Sequence, residues 1–308
     1  MPLRQQALPR HDAGAQALSA TPAWPVAALQ ERLRLLEPGL ELQVVAEIGS
    51  TNTALVERAR ADAPGPAVPR LLVAEQQTQG RGRQGRVWQS SRAASLTFSL
   101  ALPLAPADWS GLSLAVGLAL AEALEPLAAG APPRLVLKWP NDLWLRDDSR
   151  TGTPGRKLGG VLIETVACGA QRVGVVGVGL NLRPQSYNGL ASGYASLDEL
   201  ARRSSGPLPD GPGVLAIVAP ALLTTLRRFE HEGLTPFAAA YAARDLLRGR
   251  AVTTTLHGLP EGRAEGIDAD GALWVTDAAG TRHAVHAGEV SIRPASAQGS
   301  DVTEESAR

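Results

Sequence analysis

Gly80-Arg81-Gly82-Arg83-Gln84-Gly85-Arg86-Val87-Trp88 interleaves three glycines with three arginines and closes on an indole, in a chain whose formal net charge is zero. General basicity did not produce this cluster. Glycine admits φ > 0 and close approach of the backbone to a ligand, and arginine presents a planar, permanently charged fork that fits phosphate. The stretch therefore predicts an anion-grasping loop that orders mainly when a ligand supplies contacts, and that serves as a lid over a reactive phosphate. Read alone, it is also open to a second, lesser reading as a solvated Arg/Gly segment that binds RNA. Its flanks argue against that: Leu71-Leu72-Val73-Ala74 before it and Leu96-Thr97-Phe98-Ser99-Leu100 after it read as buried strands, so the run is a connection inside a domain. A Gly-Lys-Ser/Thr ending is missing, which argues against a Walker loop.

Working outward, 308 residues at 44% hydrophobic and 19% charged suffice for one large domain plus a small one. Cys168 is the single cysteine, so no internal disulfide forms, and Met1-Pro2-Leu3-Arg4 lacks the apolar core of a secretory signal. A reducing cytoplasm is the expected compartment. The longest apolar stretch, Leu112 to Leu124, carries Glu122 and falls short of the roughly 20 residues a bilayer requires, so no membrane span is expected.

Four segments are expected: a disordered stretch 1–24, a catalytic domain 25–248, a small β-barrel 249–294 and a disordered tail 295–308. Within them the periodicity predicts a helix over Val26–Leu36, a strand near 42–46, and a helix capped by Ser50 running to about Ala61. Strands at 70–75, 95–101 and 134–138 enclose a long helix from about Trp109 to Leu127. Trp139-Pro140-Asn141-Asp142 is a turn, and Arg146–Arg156 a polar loop read as a surface insertion. Leu158–Val166 and Gln171–Leu180 form a hairpin, helices follow at Val214–Glu230 and Pro236–Arg244, and short alternating strands after Gly249 make the barrel.

Five short motifs then occur in order: Ser50-Thr51-Asn52, Gln77 with Gly80 to Trp88, Lys138-Trp139-Pro140-Asn141-Asp142, Lys157-Leu158-Gly159-Gly160, and Gly177-Val178-Gly179-Leu180-Asn181. With these, over roughly Glu47 to Arg293, the chain resembles the bacterial biotin-protein ligases, in a monofunctional form without an N-terminal DNA-binding domain. The resemblance implies an α+β fold, with a mixed α/β catalytic domain whose sheet floors the site as in class II synthetases, followed by an SH3-like β-barrel. It implies that ATP and biotin give biotinyl-adenylate, and that biotin passes to a lysine of a biotin carboxyl carrier protein. Lys157 and Arg83 are the implied catalytic cations. Biotin is assigned to Ser50, Thr51, Gln77, Gly80, Arg81, Arg83, Lys157, Gly160, Gly177 and Leu180. ATP and the adenylate are assigned to Asn52, Arg83, Arg86, Trp88, Lys138, Asn141, Asp142 and Asn181, although Asp142 is equally a simple turn-former. Magnesium is expected through the nucleotide oxygens, with no dedicated protein cage. Neither DNA nor a membrane is an expected partner. Gln84 stands where the family frequently has arginine, and the 146–156 loop has no assigned role.

A lipoate-protein ligase would share the architecture and an acyl-adenylate mechanism, and the Gly-Arg-Gly-Arg-x-Gly-Arg-x-Trp run points to the biotin branch. A nucleic-acid-binding module is the remaining reading, opposed by the balanced charge. Cys168 has no neighbouring metal-ligand pattern, and His283 and His286 fall on opposite faces of a strand, so none of the three is a site candidate.

Overall fold

The computed structural model describes residues 24–63, 65–125, 132–147, 154–185, 192–202, 210–287 and 292–294. Helix α1 (Val26–Arg34) buries Leu29 and Leu33 and leads into strand β1 (Glu41–Ile48). Ser50 starts α2 (Thr51–Asp62), its side chain accepting a hydrogen bond from the Thr53 N–H as an N-cap does. Strands β2 (Arg70–Gln77) and β3 (Ser95–Pro103) flank the Gly80–Trp88 connection, as their apolar runs required. Then come α3 (Leu112–Leu124), β4 (Leu135–Lys138), β5 (Asp142–Arg146), and the long hairpin of β6 (Gly155–Cys168) and β7 (Gln171–Asn181). Helices α4 (Leu197–Ala201), α5 (Gly211–Glu232) and α6 (Ala238–Arg244) follow. Five short strands follow among the described residues: β8 (Ala251–Thr254), β9 (Glu261–Ile267), β10 (Leu273–Thr276), β11 (Arg282–Val285) and β12 (Ile292–Pro294).

The α+β fold consists of a seven-stranded sheet in the order β1-β2-β3-β7-β6-β5-β4, followed by a five-stranded antiparallel sheet in the order β11-β10-β9-β8-β12. Among the strand pairs of the described residues, only β1 and β2 run parallel. Helices α3 and α5 cover one face of the large sheet, where Leu71, Val73, Phe98, Leu100, Val176 and Val178 join the main core. The other face carries α2, whose Leu55 and Ala59 pack with Leu72, Ala101, Val173 and Val175. That second face changes character along each strand. On β7 the residues of one parity read Val173, Val175, Gly177, Gly179, Asn181, and their partners on β3 read Ala101, Ser99, Thr97, Ser95 opposite Val175 to Asn181. Beyond the end of α2, therefore, the sheet is stripped of apolar side chains and becomes a floor of glycines and small polar groups.

The small sheet is joined to the large one by Trp139, fully buried, whose indole N–H donates to the Gly271 carbonyl at 3.0 Å. Gly271 holds φ +82 in the β9–β10 turn and Gly280 φ +84 in the next, as the two turn signals required.

Some expectations shift. The helix expected from Trp109 begins only at Leu112, because Gly111 adopts φ +78, a left-handed conformation outside the helix. Its expected end at Leu127, residues 148–153 of the polar loop, and the two expected disordered termini lie outside the described residues, apart from Trp24, whose indole donates to Glu75 at 3.2 Å. The helix expected from Pro236 starts as a 3₁₀ turn over Thr235–Phe237. Helix α4 was not expected at all. By length and composition α5 would span a bilayer, but Leu215, Val218, Leu222 and Leu226 lie buried in the core, so it is a core helix.

Candidate active site

At the bared end of the sheet lies a cavity of about 570 Å³. The N-terminus of α2 forms one end of it. Gln77 Oε1 accepts from both the Thr51 N–H (2.7 Å) and Thr51 Oγ1 (3.0 Å). Ser99 Oγ on the floor bridges Thr51 Oγ1 (2.7 Å) and Asn52 Oδ1 (2.6 Å), while Asn52 Nδ2 donates to the Leu162 carbonyl and to Glu164 Oε2. A Cβ on Gly177 would lie 2.2 Å from Asn52 Oδ1. Gly177 is thus required by the buried asparagine as well as by the floor. These groups make a polar end wall whose orientations are fixed before any ligand enters.

The Gly80–Trp88 strap closes over the floor as a short hairpin. Gly82 N–H donates to Arg86 O (2.7 Å), Arg86 N–H to Arg83 O (3.2 Å) and Trp88 N–H to Gly80 O (2.9 Å), with Gln84 (φ 56) and Gly85 (φ 70) at the tip. These three bonds are the strap's own backbone contribution to its order, beside the contacts a ligand is expected to supply. Arg81 reaches towards the α2 end of the cavity, with Nη1 3.4 Å from Thr53 Oγ1 and 3.5 Å from Glu164 Oε1. Arg83 turns inward: Nη1 donates to Asn141 Oδ1 at 3.3 Å and Nη2 to the Ala287 carbonyl. Burial lowers the Arg83 pKa from its ordinary value, opposed by Asp142 and reinforced by Arg86. The Trp88 ring lies on Gly179, where a Cβ would come within 2.4 Å of it, and its buried indole N–H has no hydrogen-bond partner.

Opposite the strap, Lys138 to Asp142 form the tight β4–β5 turn, with a cis Trp139–Pro140 bond. Asn141 pins the turn to β6 in both directions, Nδ2 donating to Val161 O (2.7 Å) and its carbonyl accepting from Val161 N–H (2.9 Å). Asp142 Oδ1 accepts from Lys157 Nζ at 2.7 Å. Lys138 Nζ sits 5.6 Å from the Trp144 ring centre and Lys157 Nζ 6.0 Å from that of Trp88. Burial pulls the Lys138 pKa down to about 8, with Lys157, Arg86 and Arg293 pushing the same way and Asp142 against them. Cations outnumber the one facing carboxylate, which suits a site built to receive an anion.

Of the residues read from sequence, all but Gly80 and Leu180 line this cavity. Leu180, expected as an apolar wall, is fully buried in the main core, because strand alternation turns it away from Gly179 and Asn181. Gly80 serves the strap itself: a Cβ there would lie 2.3 Å from Trp88 O. Asn52, expected on the nucleotide side, sits with Thr51 at the polar end wall, and Asn181 donates its amide to Ala195 O (2.9 Å) and Lys157 O (3.4 Å). The sequence reading missed Gly179, Ser99, Glu164, Arg156, Tyr194 and Arg293. Only Gly179 left a signal, as the second glycine of the one-face series on β7. Among the described residues no group of three or more His, Cys, Asp or Glu side chains is placed to hold a metal ion.

A glycine floor leading from a rigid polar wall to a cluster of cations fits a ligase that activates a carboxylate with a nucleotide. The chain belongs to the biotin/lipoate A/B protein ligase family, whose profile matches residues 44–181, and the profile of the biotin protein ligase C-terminal domain matches residues 249–293. It is 35% identical to a biotin–[acetyl-CoA-carboxylase] ligase of Mycobacterium tuberculosis over 81% of this chain and 88% of that one. It is 34% identical to the bifunctional ligase/repressor BirA of Escherichia coli, over 83% of this chain and 75% of that one. The fold is similar to that of the biotin protein ligase of Aquifex aeolicus in complex with biotin and ATP, with a TM-score of 0.65 at 26% identity, covering 83% of this chain and 99% of that one.

Proposed function

We propose that this chain is an ATP-dependent biotin–[acetyl-CoA-carboxylase] ligase working in two steps at the one cavity. A biotin carboxylate oxygen attacks the α-phosphorus of ATP, the bond to the β-phosphate oxygen breaks, and pyrophosphate leaves. A carrier lysine amine then attacks the carbonyl carbon of the anhydride, AMP departs, and the amine's proton passes to solvent. The observation that carries this reading is the convergence of Lys157, Lys138 and Arg83 at one end of a glycine floor that lets a ligand lie against the backbone.

The ureido ring is placed at the polar wall of Ser50, Thr51, Asn52 and Gln77, where fixed donors and acceptors match a urea. The apolar chain runs over Gly177, Gly179 and Gly160 beneath Trp88. This polar end wall favours biotin, whose urea can add hydrogen bonds to it, over lipoate, whose dithiolane cannot. The carboxylate then reaches Lys157, which draws it to the α-phosphate and stabilises the charge developing on the oxygens in flight. Arg83, Arg86 and Lys138 hold the phosphates, and Asn141, Asp142 and Asn181 shape the nucleotide end. Magnesium would be held chiefly by the nucleotide, with Asp142 the carboxylate available at that end, and would supply neutralising charge for the phosphate oxygens. The strap excludes water from the anhydride.

The acceptor proposed is the carrier domain of a biotin-dependent carboxylase in the cytoplasm. Purified protein with biotin, ATP and magnesium should release pyrophosphate and label a biotin carboxyl carrier domain detectably with streptavidin. Turnover with lipoate in place of biotin, or none with either, would overturn the assignment.

A further inference from the structure

Strand β6 does not run straight past Lys157. Its pairing with β5 shifts register between Leu143 and Trp144, so Gly159 faces Leu143 while Lys157 faces Trp144. An irregularity of this kind re-aims a side chain and disturbs the ladder on one edge. The segment Ser192–Ala195 supplies new backbone partners there: Lys157 N–H donates to Ser192 O (3.3 Å) and Ala195 N–H donates to Lys157 O (2.9 Å), in a parallel bridge. Arg156, the residue before the catalytic lysine, holds that segment down. Its guanidinium donates to Tyr194 O (2.6 Å) and takes Glu199 of α4 in a two-pronged bond (3.1 and 2.6 Å). Gly193, at φ +63, lies flat on the arginine stem, where a Cβ would come within 2.8 Å of Cγ. Glu199 also accepts from the Ser196 N–H (3.0 Å), which fixes the turn into α4.

We infer that the Arg156–Glu199 pair is a positioning device for Lys157: it clamps Ser192–Ala195 along the irregular stretch of β6 and so sets where the catalytic ammonium points. This rests on the ligase reading above. Lysine cannot replace the arginine, because a point charge lacks the planar fork that grips Glu199 and Tyr194 O together.

The test uses single-turnover formation of biotinyl-adenylate by the full chain. Arg156→Lys should lower the rate about tenfold with KM for biotin within about twofold of wild type, the mark of a mis-aimed transition-state group. Glu199→Gln, which keeps the acceptor for Ser196 N–H and hence the turn, should act in the same direction, and the double variant should lose no more than the larger single loss. The decisive arm is the Lys157→Met background. There Arg156→Lys should be silent, because its target is gone, whereas a merely structural role would lower the residual rate in proportion to the folded fraction. Wild-type rates in both single variants, or a second tenfold loss on top of Lys157→Met, would overturn the inference. A wild-type protein that makes no adenylate from biotin would instead overturn the ligase reading itself.

Discussion

Asp142 Oδ1 and Lys157 Nζ lie 2.7 Å apart in the cavity wall, with Gly160 beside both: a Cβ there would stand 3.3 Å from the ammonium and 3.4 Å from the carboxylate. The pair keeps the lysine extended over the floor. In the proposed reaction an incoming carboxylate and phosphate would take over the ammonium without a new conformation having to be found, which is preorganisation in its simplest form.

Lys157→Met should therefore reduce adenylation by about two to three decades while biotin still binds at the polar wall. Rapid-quench measurement of adenylate, with calorimetry for biotin, checks both halves; a loss of affinity with an intact rate would reassign the lysine to ground-state binding.

Lys138 gives a pH dependence whose sign is fixed. Its folded pKa, about 8, lies below the ordinary 10.5. Below pH 8 the buried ammonium persists and destabilises the fold by its lost hydration; that cost is relieved as pH rises from 8 towards 10.5 and the amine becomes neutral. Phosphate binding works the other way, since it needs the cation, so KM for ATP should rise as pH passes through 8 while stability against urea improves. Lys138→Arg, which stays charged, should flatten the KM profile.

Gly179→Ala would place a methyl group 2.4 Å from the Trp88 ring. Backbone on a central strand cannot yield, so the indole must lift from the floor and open the strap. Tryptophan fluorescence should shift, and the intermediate should hydrolyse faster than it is passed on; an unchanged spectrum and coupling ratio would show that Trp88 does not seal the site.

Glu164→Gln tests the outer anchor of the strap. Arg81 is half exposed and its contact with Glu164 is long, at 3.5 Å, so the effect on stability should fall below about 1 kcal/mol. Limited proteolysis between Arg81 and Arg86 should nevertheless speed up, and the dissociation of adenylate should quicken by a few fold.

The strap's place between strands, the N-cap at Ser50, the Lys138–Asp142 turn and the β6–β7 hairpin were legible because each is a local pattern: a cap, a turn, a period of two. That same period explains the misreading of Leu180, which alternation with Gly179 and Asn181 assigns to the core. Ser99, Glu164 and Arg156 were not legible. Each looks like an ordinary polar residue on a strand, and its role comes from partners far along the chain, as Arg156 meets Glu199 43 residues later. Helix α4 is five residues long, too short for any periodicity to register.

A crystal structure of the protein with biotin, magnesium and a slowly hydrolysed ATP analogue tests the central claim most directly. It should show the biotin carboxylate and an α-phosphate oxygen both within hydrogen-bond distance of Lys157 Nζ, Arg83 on the phosphates, and Trp88 lying over the valeryl chain. A nucleotide seated with its α-phosphate remote from Lys157 and Arg83 would contradict it.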